Sequence, residues 1–197
     1  MFRTFVHALP FFPFPFSLFP FHLSLLLPIF LIGFMGSGKT VVGRALAQRL
    51  GLVHADLDRM IEAEVGPLLP FVQREGEEAF RAVESRFLAR GMDRADTVVS
   101  LGGGTPTYAD NMDRLLAAGT VVYINTPLAV LQERLLKKGR DRPLLFGLSD
   151  EELCMRVGEL LEERLPSYRR ASIVVDGSGG VEEIAERIES AIAGQPR

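Results

Sequence analysis

Short apolar runs alternate along the chain with longer stretches whose apolar residues recur at helical spacing. The runs 29–32, 52–55, 97–101, 121–124 and 172–175 are four or five residues long, and each is followed by Gly, Asp or Asn. That length and those boundaries predict buried strands, with the β-branched run 97–101 at the centre of a parallel sheet. Between them, 41–50, 59–65, 77–90, 111–118, 127–138 and 181–193 read as amphipathic helices, with Gly51 and Gly119 as stops. Ser149 followed by Glu152 has the form of a capping box for a further helix that runs into Pro166, where it ends or kinks. Gly66 and Pro67 interrupt the pattern, and 68–73 reads as a short apolar turn before Gly76. Strands alternating with helices over 197 residues describe one α/β domain with ample core.

Composition changes this picture at one end. Residues 1–28 hold eight Phe and five Pro, and after Arg3 no Lys, Arg, Asp or Glu occurs until Lys39. Arg3 ahead of a long apolar stretch has the outline of a signal peptide or membrane anchor. The proline density and the lack of a small-x-small cleavage site favour upstream sequence or a poorly ordered extension instead. Met35 is excluded as a start, since initiation there would cut the glycine-rich motif described next. The expected organisation is an extension (1–28), a domain (29–193) and a tail (194–197), in the cytoplasm unless the extension is a targeting segment. The formal charge of -3, without a basic stripe, argues against nucleic acid as a partner. The single cysteine, Cys154, excludes an intrachain disulfide and fits a reducing compartment.

The candidate chemistry begins where the first strand meets the first helix, at GFMGSGKT, residues 33–40. Glycines let successive backbone N–H groups converge on one concavity, at which the following helix aims its positive end; a polyphosphate fits there. Lys39 would reach the outer phosphates, and the Thr40 hydroxyl would hold Mg²⁺. Asp56 and Asp58 follow the second run. In an extended segment both carboxylates would project to one side at the ligand-binding edge of the sheet; alternatively Asp58 only caps the helix starting at Arg59. Arg81 and Glu84 are neighbours on a helix, either as a surface ion pair or as a guanidinium held ready for an anion. Gly102, Gly103 and Gly104 allow close approach of a ligand to backbone N–H groups, or form a plain tight turn. The strand before them has no terminal Asp for a metal, which gives Asp56 that position. Arg140 and Arg142 lie in a basic segment that reads as a mobile lid or a solvated loop.

In this order and spacing, GFMGSGKT, DLD (56–58), FRAVE (80–84), LGGG (101–104), RPLL (142–145) and ERLPSY (163–168) resemble the shikimate kinases, within the nucleoside monophosphate kinase-like P-loop group. The resemblance covers about residues 29–193. It implies a three-layer α/β sandwich with a five-stranded parallel sheet in the order 2-3-1-4-5 and a small lid. It also implies ATP-dependent phosphorylation of the 3-hydroxyl of shikimate on the route to chorismate and the aromatic amino acids. The site it implies has Asp58 at the reacting hydroxyl, Lys39 and Arg142 on the transferred phosphoryl group, and Arg81 and Arg164 on the substrate carboxylate. Gly102, Gly103 and Gly104 line the substrate. Gly36, Ser37, Gly38, Thr40 and Val41 hold the nucleotide, Arg134 stacks on the base, and Thr40 with Asp56 serves Mg²⁺. The expected state is a monomer acting on a small molecule, with no membrane partner for the domain. The chain departs from the family in the prolines of 67–71, in the absence of an Arg from 176–180, and in the extension. A kinase for a related small molecule such as gluconate, or a non-catalytic ligand sensor, are the competing readings.

Overall fold

The computed structural model describes residues 27–139 and 142–194. Five strands, β1 (Ile29–Ile32), β2 (Val53–Asp56), β3 (Thr97–Ser100), β4 (Thr120–Asn125) and β5 (Ile173–Asp176), form one parallel sheet in the order β2-β3-β1-β4-β5. The helices are α1 (Lys39–Leu50), α2 (Leu57–Val65), α3 (Leu68–Met92), α4 (Asn111–Ala118), α5 (Leu128–Lys138), α6 (Asp150–Tyr168) and α7 (Val181–Ala193).

Every residue of β1 is buried, which places it between two apolar layers. Ile29 and Leu31 face α1 and α7, in a core with Val42, Leu46, Val98, Val122, Ile184 and Ile188. Phe30 and Ile32 face the opposite core, which takes in Leu57, Leu88, Leu131, Leu153, Val157 and Tyr168. Alternate residues of a strand point to opposite faces, so four residues of β1 serve both layers. The chain enters the sheet at Pro28, whose carbonyl accepts the Thr120 N–H at 3.0 Å. Gly119 lies against that oxygen, and a Cβ there would collide with it.

The elements match the pattern along the chain with three corrections. The run 68–73 is helical, not a turn: α3 starts at Leu68, with Pro67 as its N-cap and Pro70 in the first turn, where a missing N–H costs nothing. The break falls at Gly76 instead (φ 86, ψ 167), dividing α3. Helix α2 starts at Leu57, not at Arg59, so 56–58 is not an extended segment. Helix α6 runs through Pro166 to Tyr168, and its start carries the expected Ser149–Glu152 capping box. The expectations for residues 1–26, for the tail beyond Gly194 and for Arg140 lie outside the described residues. No helix among the described residues is long and apolar enough to cross a membrane.

Candidate active site

The carboxyl ends of β1, β2 and β3 bring the motif residues to one edge of the sheet, where open parallel sheets hold ligands. Two clefts meet there. The larger, about 560 Å³, is lined by Gly36, Gly38, Lys39, Thr40 and Val41 together with Asp56, Asp58, Arg134 and Arg142. The smaller, about 150 Å³, is lined by Asp58, Arg81, Glu84, the three glycines 102–104, Arg142 and Arg164, with an apolar rim that includes Met35, Phe80 and Leu144. Asp58 and Arg142 border both.

The loop between β1 and α1 curls at Gly36 (φ 82) and Gly38 (φ 89), conformations that side chains with a Cβ rarely adopt. Ser37 is buried within it. The Lys39 ammonium donates to the carbonyls of Gly33 and Phe34 at 2.9 Å each, and to Ser37 Oγ at 3.4 Å. It thus sits among the loop's own oxygens. Burial lowers its pKa to about 8, against the pull of Asp58 and Asp56 in the other direction. Arg134 Nη1 donates to the Gly36 carbonyl at 3.0 Å, bracing the loop from α5.

Asp56 and Asp58 reach the site by a different route from the one the spacing suggests. Asp56 ends β2 and caps α2: its Oδ1 accepts the Arg59 N–H at 3.1 Å, while its Oδ2 accepts the Thr40 hydroxyl at 2.5 Å. The capping carboxylate is therefore Asp56, and Asp58 lies in the first turn of α2. Between them Leu57 turns into the core, fully buried, and anchors both. The Thr40–Asp56 pair offers hard oxygen donors of the kind Mg²⁺ takes. No group of three or more His, Cys, Asp or Glu that could hold a metal is found among the described residues. Burial raises the Asp58 carboxyl to about 6, helped by the neighbouring Asp56 and opposed by Lys39.

Behind the loop lies a contact with no motif to announce it. His54 Nε2 is 3.0 Å from Ser100 Oγ, and that hydroxyl donates to the Lys39 carbonyl at 3.0 Å. A Cβ on Gly43 would come within 2.6 Å of Ser100 Oγ, so this glycine leaves room for the bridge from β2 through β3 to α1.

In the small cleft Arg81 is held from two sides. Its Nη1 donates to Glu84 Oε2 at 2.7 Å and its Nη2 to Glu77 Oε1 at 3.1 Å, while the rings of Phe80 and Tyr108 lie 5.4 and 5.6 Å from the guanidinium carbon. Glu84 is only 1% exposed. Its other oxygen accepts the Thr105 hydroxyl at 2.6 Å, so one buried carboxylate ties Arg81 to the turn that follows the glycines. The surface-pair reading of Arg81 and Glu84 is thereby replaced. Arg164, 6% exposed, lies over the Phe34 ring at 5.4 Å. Arg164 Nη1 and Arg142 Nε are buried nitrogens without a partner among the described residues. Leaving such donors unpaired is costly, and an anion in the cleft would satisfy them. The glycines admit these side chains to the backbone: a Cβ on Gly102 would lie 2.9 Å from Asp58 Oδ1, and one on Gly104 2.9 Å from Arg81 Nη2.

The family model for shikimate kinase matches residues 35–193. A shikimate kinase of Halorhodospira halophila is 43% identical over 171 residues, covering 85% of this chain and 94% of that relative. One from Parabacteroides distasonis is 42% identical over 149 residues, covering 75% and 86%. Among solved structures, shikimate kinase from Acinetobacter baumannii in complex with shikimate superposes with a TM-score of 0.79 at 36% identity, covering 85% of this chain and 93% of that one. On the extent of these matches, the chain belongs to the shikimate kinase family.

Proposed function

We propose that the two clefts place ATP and shikimate on either side of Asp58, and that the chain transfers the γ-phosphoryl group to the 3-hydroxyl of shikimate, giving shikimate 3-phosphate and ADP. The observation that carries this reading is the small cleft itself: Arg81, Arg164 and three glycines on one side of the half-buried Asp58 carboxylate, with the nucleotide loop on the other. A small polyol acid has little apolar surface, so its recognition has to come from charge and bidentate hydrogen bonds. Arg81, braced by Glu84, and Arg164, with its unpaired Nη1, supply both for the carboxylate. The backbone N–H groups of 102–104 face the rest of the ring.

Asp58 orients the attacking hydroxyl and accepts its proton as the new O–P bond forms. Lys39 and the N–H groups of Gly36, Ser37, Gly38 and Val41 hold the phosphates, Arg142 meets the charge that spreads over the transferred group, and Arg134 borders the base. Thr40 and Asp56 would hold Mg²⁺, which neutralises phosphate charge when bound. Phosphoryl transfer depends mainly on such positioning and electrostatics. In this reading the chain is a small-molecule enzyme of the cytoplasm that acts as a monomer, in the family's place in aromatic biosynthesis.

The direct test is ADP release measured with shikimate and with gluconate: turnover with shikimate is expected, and turnover with gluconate alone would reject the reading. Arg81→Ala is expected to raise KM for shikimate by about tenfold or more, the weight of a charge-assisted hydrogen bond, with KM for ATP unchanged. An unchanged KM for shikimate would remove Arg81 from the carboxylate site. The pH profile follows from the carboxyl at about 6. Its base form is lost as pH falls, so kcat/KM for shikimate should drop by about tenfold per unit below that value. A limb near 4, the ordinary carboxylate range, would show that burial does not raise the catalytic carboxyl in the working enzyme.

A further inference from the structure

We infer that the Tyr168 hydroxyl is a positioning group which sets the direction of the glycine loop, so that the end of α6 organises both the guanidinium and the backbone that meet the acceptor. The inference rests on the shikimate kinase reading of the small cleft. Tyr168 is fully buried in the last turn of α6, its ring 5.1 Å from that of Tyr123. Its hydroxyl donates to the Gly103 carbonyl at 2.6 Å, across 65 residues of sequence. Burial pushes the phenol above its usual range although Arg164 beside it pulls the other way, so it remains a donor throughout the working pH range.

A trans peptide unit is planar, and its C=O and the next N–H point in opposite directions. Holding the Gly103 carbonyl towards Tyr168 therefore sends the Gly104 N–H away from α6. Neither flanking residue has a Cβ, so this peptide plane could rotate at little steric cost, and the loop's own side chains cannot choose its direction. The adjacent peptides are fixed by local bonds, Thr105 N–H to Gly102 O at 3.2 Å and Thr107 N–H to Gly104 O at 3.1 Å. The Gly103–Gly104 unit is the one held from a distant helix. One turn earlier on α6, Arg164 Nη1 lies 3.2 Å from where a Cβ on Gly103 would stand. The phenol thus holds Gly103 by a hydrogen bond while the guanidinium from the preceding turn lies close beside it, so the end of α6 packs against the loop with both groups.

Tyr168→Phe keeps the buried ring and removes only the hydroxyl. It is expected to raise KM for shikimate by about tenfold, the effect of one lost hydrogen bond, with KM for ATP unchanged and Tm lowered only by the few degrees that one buried bond is worth. A purely structural role would move both constants together, and that result, or an unchanged KM for shikimate, would overturn the inference. A second measurement needs no variant: in glycine-labelled wild-type protein the Gly104 amide resonance should shift on adding shikimate without nucleotide. An unresponsive amide would also overturn it. Wild-type enzyme that fails to turn over shikimate would reject the activity itself, whereas wild-type turnover with an unaltered Tyr168→Phe variant would reject only the assignment to Tyr168.

Discussion

Asp58→Asn is expected to lower kcat with shikimate by about 10²- to 10⁴-fold, the usual weight of a positioned general base, while ADP still binds. The amide is close in shape to the carboxylate, so Leu57 should keep its place in the core and α2 its start, and the change is confined to chemistry. Asn cannot take the proton that leaves the hydroxyl. It also removes the charge that most supports the Lys39 ammonium, so the pKa of that amine should fall further below its ordinary value. Steady-state kinetics with ADP binding measured by calorimetry separates the two effects. A variant that keeps kcat within a few-fold of wild type would show that Asp58 only lines the cleft.

Arg142→Ala should cost nearly as much, about 10³-fold in kcat, since an arginine brought to a phosphoryl-transfer transition state contributes on the order of 10³ to 10⁵. Arg142 borders both clefts, and its Nε is buried without a partner among the described residues. The turn around it is closed by its own N–H to the Gly139 carbonyl at 3.2 Å and by the Leu145 N–H to its carbonyl at 3.0 Å. Leu145 is fully buried and anchors this turn in the core. Arg142→Lys keeps the charge but not the planar fork, so it should recover only part of the loss. The loss should fall on kcat more than on KM for shikimate. Equal kcat for Arg142→Ala and wild type would assign the transition-state charge to Lys39 and the loop alone.

Most of the sheet was legible because each strand carries its signal locally: four or five apolar residues followed by a turn residue, with α4 recovered to its end at Ala118. The misreadings arose where two local signals competed. Prolines at 67 and 70 look like breakers, yet both fall at a helix start, where the backbone needs no partner. Asp56 and Asp58 share the spacing of an extended strand, but the Asp56 cap turns the chain into helix between them. Arg164 came only from the family resemblance, whereas Lys39, Thr40, Asp56, Asp58, Arg81 and the three glycines could be named from the chain because phosphate and anion recognition require particular residue types at short spacing. Their supports could not. Thr105 on Glu84, Tyr168 on Gly103 and Ser100 between His54 and Lys39 depend on which strands and helices become neighbours, and nothing in a one-dimensional pattern records that.

The bond from Thr120 to Pro28 fixes where the chain comes in, at the amino end of β1, while the phosphate loop leaves from its carboxyl end. Four residues of strand, on the order of 13 Å, separate the two. Leu27, exposed to solvent, therefore lies at the end of the strand opposite both clefts. That end offers an experimentalist a handle: an affinity tag, a fluorophore or a surface tether attached there leaves the path of ATP and acceptor clear.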